Sequence, residues 1–186
     1  MPIARLVREQ TVLLVVDMQQ KLLPLIDQHE RITEQVAKLI RGCAGLEVPI
    51  VVTEQYPAGL GPTVDAIASV LPMGDPGAPK FTKVKFSACI EAMRTHLSAL
   101  GRSTVLICGI ESHICVMQTV LDVMGMGLVA AVAGDAVSSR QASDHQLAMR
   151  RISEAGAMTV SVEMALMEMV KEAGTDRFKA ILPIIR

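Results

Sequence analysis

Cys115 lies in the stretch Val105-Leu-Ile-Cys-Gly-Ile-Glu-Ser-His-Ile-Cys-Val-Met-Gln118, where a short apolar run gives way to a second, mostly apolar segment. Val105 to Gly109 has the pattern of a strand buried on both faces. Ser112 reads as the N-cap of a helix that continues through Met124, which puts Cys115 in the first helical turn. A thiol placed there faces unpaired backbone N–H groups and the positive end of the helix dipole. Both favour the thiolate, the form of cysteine that attacks carbon. The competing reading is a small buried hydrophobe, which is what most free cysteines are.

A cysteine nucleophile needs a base to take its proton and a cation to hold the resulting charges. Asp17 can be the base once a crevice strips it of water, and Lys83 can be the cation. The backbone N–H groups of Glu111 and Cys115 are candidates for an oxyanion hole, as helix starts often are. Each residue also has a plainer role. An Asp at a strand end is commonly a turn residue, and Lys83 could be solvated like its neighbour Lys85. His113 is too near Cys115 in sequence to be required to face it, and His29, His96 and His145 read as surface residues. Glu54, Gln55 and Tyr56 could line a pocket or belong to a solvent-facing loop. Asp135 and Arg140 either line the crevice or only shape their loop.

The elements that must position these groups alternate along the chain. Thr11–Val16 is a continuous apolar run ending in Asp17, and a helix with one apolar face is expected over Asp27–Leu46. Pro49–Thr53 is a second strand, followed by the turn-rich loop Glu54–Pro62. A Pro- and Gly-dense loop covers Pro72–Pro79, a strand Phe81–Phe86 carries Lys83, and Ser87 reads as the cap of the next helix. Beyond the Cys115 segment come a strand at Leu128–Val132, a loop at Gly134–Arg140 and a helix at Gln141–Ala155. A strand at Met158–Val162, a helix at Glu163–Glu172 and a short helix or tail at Asp176–Arg186 complete the chain. Strands alternating with helices predict an α/β fold with a parallel sheet, and no linker or repeat divides residues 1–186. Ligands of such sheets bind off the carboxyl ends of the strands where strand order reverses. If the first and fourth strands are neighbours there, Asp17 and the loop before Cys115 face one crevice.

Composition narrows the function classes. Apolar residues make up 51% of the 186 and the net charge is −1, so no basic face for nucleic acid is expected. The apolar surplus points to a subunit interface and a homo-oligomer. No uninterrupted apolar run is long enough to cross a membrane, and the N-terminal residues lack the pattern of a secretion signal. The four cysteines have no zinc or redox spacing, which fits a reducing cytoplasm. Glycine-rich nucleotide loops are missing, and so are paired metal-ligand motifs. No cofactor and no metal is expected.

Five segments together resemble the isochorismatase-like (cysteine hydrolase) superfamily: Val15–Gln19, Thr53–Pro57, Lys83–Ala88, Cys108–Val116 and Asp135–Arg140. The closest likeness is to the isochorismatase-domain branch with Thr-Glu-Gln-Tyr-Pro after the second strand. The resemblance implies a three-layer Rossmann-like fold with a six-stranded parallel sheet in order 3-2-1-4-5-6. It implies a catalytic triad of Asp17, Lys83 and Cys115, with a cis peptide between Ile110 and Glu111 that turns the Glu111 N–H into the oxyanion hole. Gln19, Glu54, Gln55, Tyr56 and Ile110 are the expected substrate contacts. Isochorismatases proper cleave a vinyl ether without needing the cysteine, so Cys115 leans toward amide or related C–N hydrolysis of a small molecule. Nicotinamidases of the superfamily carry a metal site after the second strand. Here that place, Thr53-Glu54-Gln55-Tyr56, has no histidine. The alternatives are a scaffold or partner-binding protein that keeps the fold with little turnover, and a thiol redox protein using Cys115.

Overall fold

The apolar runs become six parallel strands: β1 (Thr11–Val16), β2 (Ile50–Gln55), β3 (Lys80–Lys83), β4 (Thr104–Ile110), β5 (Val129–Ser138) and β6 (Met158–Val160). In this computed structural model, which describes residues 4–73 and 77–186, they lie in the order β3-β2-β1-β4-β5-β6. The helices are α1 (His29–Gly45), α2 (Pro57–Leu60), α3 (Asp65–Ala68), α4 (Glu91–Leu100), α5 (Met117–Gly125), α6 (Ala142–Glu154), α7 (Val162–Val170) and α8 (Asp176–Ile185). The architecture is the expected three-layer α/β sandwich, with β1 and β4 side by side at the switch point.

Central strands need apolar side chains on both faces because helices cover both. Leu13, Val15, Leu106 and Cys108 pack toward α1, α7 and α8. Val12, Leu14, Val16, Val105 and Ile107 pack toward α4, α5 and α6. All six residues of β1 are buried. In α1 the buried stripe Ile32, Val36, Leu39, Ile40 and Cys43 has helical spacing. Removing each such aliphatic side chain from water is worth about 1.5–3 kcal/mol. Among the described residues no helix is long and apolar enough to cross a membrane.

Several boundaries differ from the sequence reading. Ser87 does not cap α4, which starts at Glu91; its hydroxyl accepts from the Cys89 N–H and forms a local turn. β5 extends well past Val132, because a register shift after Ile107 lets it pair again through Gly109↔Val137 and Ile110↔Ser138. β6 stops at Val160, where Ser161 caps α7 by accepting from the Met164 N–H. The C-terminal stretch is a helix, capped by Thr175. The expected loop Pro72–Pro79 falls partly outside the described residues.

Gly109 lets β1 and β4 come together at their carboxyl ends. It has φ 109°, and a Cβ there would sit 2.1 Å from the Val16 carbonyl oxygen. Only glycine fits both constraints.

Candidate active site

The carboxyl ends of β1, β2, β3 and β4 carry the groups singled out above. Asp17 follows β1 with φ 52°, a left-handed turn that Asp tolerates better than most residues. Its N–H donates to the Thr53 carbonyl at 3.1 Å. Its Oδ1 accepts from the Thr53 hydroxyl at 2.7 Å, and its Oδ2 from Lys83 Nζ at 2.6 Å. Lys83 ends the edge strand β3, opposite Gln55 of β2. Its side chain passes over the end of β2 to reach β1. All three ammonium protons find acceptors: Asp17 Oδ2, Gln55 Oε1 at 2.8 Å and the Phe86 carbonyl at 2.9 Å. Both side chains of the ion pair are 0% exposed. Removing such charges from water is costly, and this full set of hydrogen bonds offsets that cost. Lys85, the other candidate, is exposed.

Cys115 enters from the other side of β1. After β4 the chain makes a turn of π-helix, Ser112–Val116, before α5. Such turns are rare and frequent at functional sites. The Cys115 residue is 5% exposed. Its thiol is pushed up to about 12, first by burial and then by the Asp17 carboxylate, with Lys83 opposing. Both partners are therefore within electrostatic reach of the sulfur. The direction corrects the expectation of a resting thiolate. Loss of water around the sulfur outweighs the helix start, and Cys115 rests as a thiol. The peptide between Ile110 and Glu111 is cis, and the Glu111 N–H has no acceptor among the described residues.

Other expectations are redirected. Ser112 is not an N-cap; its hydroxyl meets Ser139 Oγ and, at 3.1 Å, His145 Nδ1. Gln19 was expected at the substrate, but its amide clips the loop after β2, donating to the Gln55 and Gly61 carbonyls and accepting from the Gln55 N–H. Glu54 likewise serves the scaffold, accepting from the Thr63 N–H and hydroxyl and pairing with Lys80 at 2.8 Å. Burial opposes ionisation of Glu54, but these partners prevail and hold its carboxyl below the usual value. Gln55 touches Lys83 rather than open space. Tyr56, 55% exposed, stands beside the site with its N–H on the Lys83 carbonyl, and Ile110 is fully buried. Asp135 accepts from the Val162 N–H and so caps α7; Arg140 grips Glu111 through its N–H and Nε. His145 is half-buried rather than a surface residue.

Thr53 and the Phe86 carbonyl were not foreseen. As the first residue of the Thr-Glu-Gln-Tyr segment, Thr53 gave no sign in its own chemistry of a bond to Asp17, and a backbone carbonyl gives none in any sequence. A cavity of about 370 Å³ opens at the amino ends of the strands between Val48, Pro49, Pro79 and Leu100 and holds none of these residues. Among the described residues no group of His, Cys, Asp and Glu side chains is placed to hold a metal ion.

The model of the isochorismatase domain matches residues 11–164. A Danio rerio protein named isochorismatase domain-containing protein 2 is 35% identical over 98% of this chain and 90% of its own length. A solved structure described as MAR1 ribonuclease from Caenorhabditis elegans superimposes with a TM-score of 0.92 at 35% identity, covering 98% of this chain and 92% of the other. At 21% identity, the YcaC gene product of Escherichia coli shares the fold with a TM-score of 0.90, covering 100% of this chain and 91% of its own; it is described as an octameric hydrolase of unknown specificity.

Proposed function

This chain belongs to the isochorismatase family, and we propose that within it the protein is a cysteine hydrolase, cleaving a small amide or related C–N or ester bond through a thioester. The observation that carries the reading is the buried Asp17–Lys83 pair at 2.6 Å, close enough to the Cys115 sulfur to move its pKa in opposite directions.

Because the thiol rests protonated, deprotonation accompanies attack. As a carbonyl carbon approaches Cys115 Sγ, the thiol proton passes to Asp17 and the C–S bond forms. The oxyanion takes hydrogen bonds from the Glu111 and Cys115 N–H groups. Collapse expels the amine or alcohol, which leaves with the proton from Asp17. Water, deprotonated by Asp17, then adds to the thioester, and the acid departs as Cys115 regains its proton. Lys83, tethered by three acceptors, is no nucleophile; it holds Asp17 in place and balances its charge. The chemistry uses no cofactor or metal. Four free cysteines suit a reducing cytoplasm as the place of action. Exposed Tyr56, Val84 and Phe86 beside the site, together with the octameric fold neighbour, support a homo-oligomer.

The test is a pre-steady-state burst with p-nitrophenyl acetate and a panel of small amides, with intact mass read on the quenched protein. The expected result is an acyl adduct on Cys115 and its loss in Cys115→Ala. Unchanged turnover in that variant would sink the mechanism. One observation favours the second reading, a partner-binding protein with little turnover: Cys115 is nearly closed off from solvent. A protein that takes no acyl group from any of these probes would match it.

A further inference from the structure

We propose that Ser139 is a positioning residue for the turn that carries Cys115, acting through a relay of hydrogen bonds His145–Ser112–Ser139–His113; the proposal rests on the thioester reading above. The relay lies behind the site, not in it. Ser112 Oγ contacts His145 Nδ1 at 3.1 Å and Ser139 Oγ, and Ser139 Oγ contacts His113 Nδ1 at 2.8 Å. Both serines are 0% exposed. Ser139 Oγ also accepts from the His113 N–H at 3.4 Å, while the neighbouring Arg140 binds the Glu111 carboxylate at 3.0 Å through Nε. Glu111, Ser112 and His113 join β4 to the Cys115 turn, and all three are thus pinned to Ser139 and Arg140. That segment sets the direction of the Glu111 N–H, the donor proposed for the oxyanion.

Proton counting gives the relay a rule. Three contacts need three protons, and the two hydroxyls supply two. The third must come from the Nδ1–H of one histidine, while the other histidine accepts at Nδ1. The array therefore tolerates one imidazolium, since the cation donates and its counterpart accepts. Two imidazolium ions would put two protons into one contact and break it. The charged groups facing His113 are Glu111, at 3.9 Å from Nδ1 and bound to Arg140, and Asp144, at 3.9 Å from Nε2. His145 faces Asp27, which favours its protonation, but burial outweighs this and holds its pKa below the ordinary value. The half-buried histidine resists the second proton.

The experiment compares acylation with alkylation. Acylation by p-nitrophenyl acetate forms an oxyanion, whereas alkylation of Cys115 by iodoacetamide at alkaline pH does not. Ser139→Ala should slow acylation roughly 10- to 100-fold, with the half-saturating concentration and the alkylation rate unchanged. In the unaltered protein acylation should fall on acidification as the second histidine takes its proton. In His113→Gln that fall should be lost, because one histidine remains and the amide can accept along the relay without titrating. Full acylation in Ser139→Ala, equal slowing of both reactions, or a persisting acid limb in His113→Gln would overturn the relay. If far-UV circular dichroism finds Ser139→Ala unfolded, the acid limb of His113→Gln decides alone. No acylation in the unaltered protein would overturn the thioester reading and the relay with it, whereas normal acylation in every variant overturns the relay only.

Discussion

The interior of β4 and the turn at its end both bury a cysteine, in opposite settings. Cys108 is enclosed by aliphatic side chains on the α1 face, beside Cys43. Burial raises its pKa well above the ordinary value, with nearby Cys43 adding to the effect. Cys115 is buried almost as deeply, yet an acid and an ammonium reach it from β1 and β3. Burial alone therefore does not tell these two thiols apart. The difference lies in whether the chain has also enclosed a charged pair beside it, which it does only where strands end and backbone leaves the ladder.

The sharpest way to break that contrast is to remove the ammonium. Lys83→Ala would leave Asp17 buried and uncompensated, with an expected loss of about 3–5 kcal/mol in urea unfolding and loss of acylation. Lys85→Ala, on the exposed side of the same segment, should change neither measurably. Equal effects from the two would undo the assignment of Lys83.

Gly109 marks the boundary between the two settings. Gly109→Ala combines a left-handed backbone with a Cβ against the Val16 carbonyl. A loss of about 2–3 kcal/mol is expected. If β1 and β4 must separate to admit the methyl group, acylation should fall as well. Retention of full activity at reduced stability would mean that the strand ends can part without disturbing the site.

The mildest effect is one of pH. The Cys115 thiol rises from 9.0 to about 12 on folding. Below 9.0 it is protonated in both states and its contribution is intact. Between the two values the unfolded chain ionises and the native one does not, so stability falls as pH climbs. Cys43 and Cys108 act in the same direction. Urea midpoints followed through this window should decline, and the decline should be shallower in Cys115→Ala. An unchanged slope would mean that the sulfur is not sequestered.

The sheet was legible because a strand buried on both faces leaves an uninterrupted apolar run, and each of Thr11–Val16, Pro49–Thr53 and Val105–Gly109 is such a run. The strand order came from family resemblance rather than from the runs themselves. Asp17, Lys83 and Cys115 could be picked out because each stands next to a run or a turn. What stayed hidden was how polar side chains distribute their bonds. Ser87 and Ser112 both stand where a cap belongs, yet one closes a local turn and the other reaches Ser139, just past β5, because a hydroxyl bonds to whatever folding brings near. Gln19 looked like a ligand contact for the same reason that it is a clip: it lies at a strand end, where loops and substrates are equally close. His145 looked like a surface residue because the polarity of its own helix says nothing about the loop that packs across it.

A sulfur held as a thiol in a nearly sealed niche has a consequence beyond turnover. Peroxides and stray electrophiles react with thiolates, and the resting protein offers them very little of that form. Resistance of this thiol to oxidation follows from the same burial that keeps it protonated.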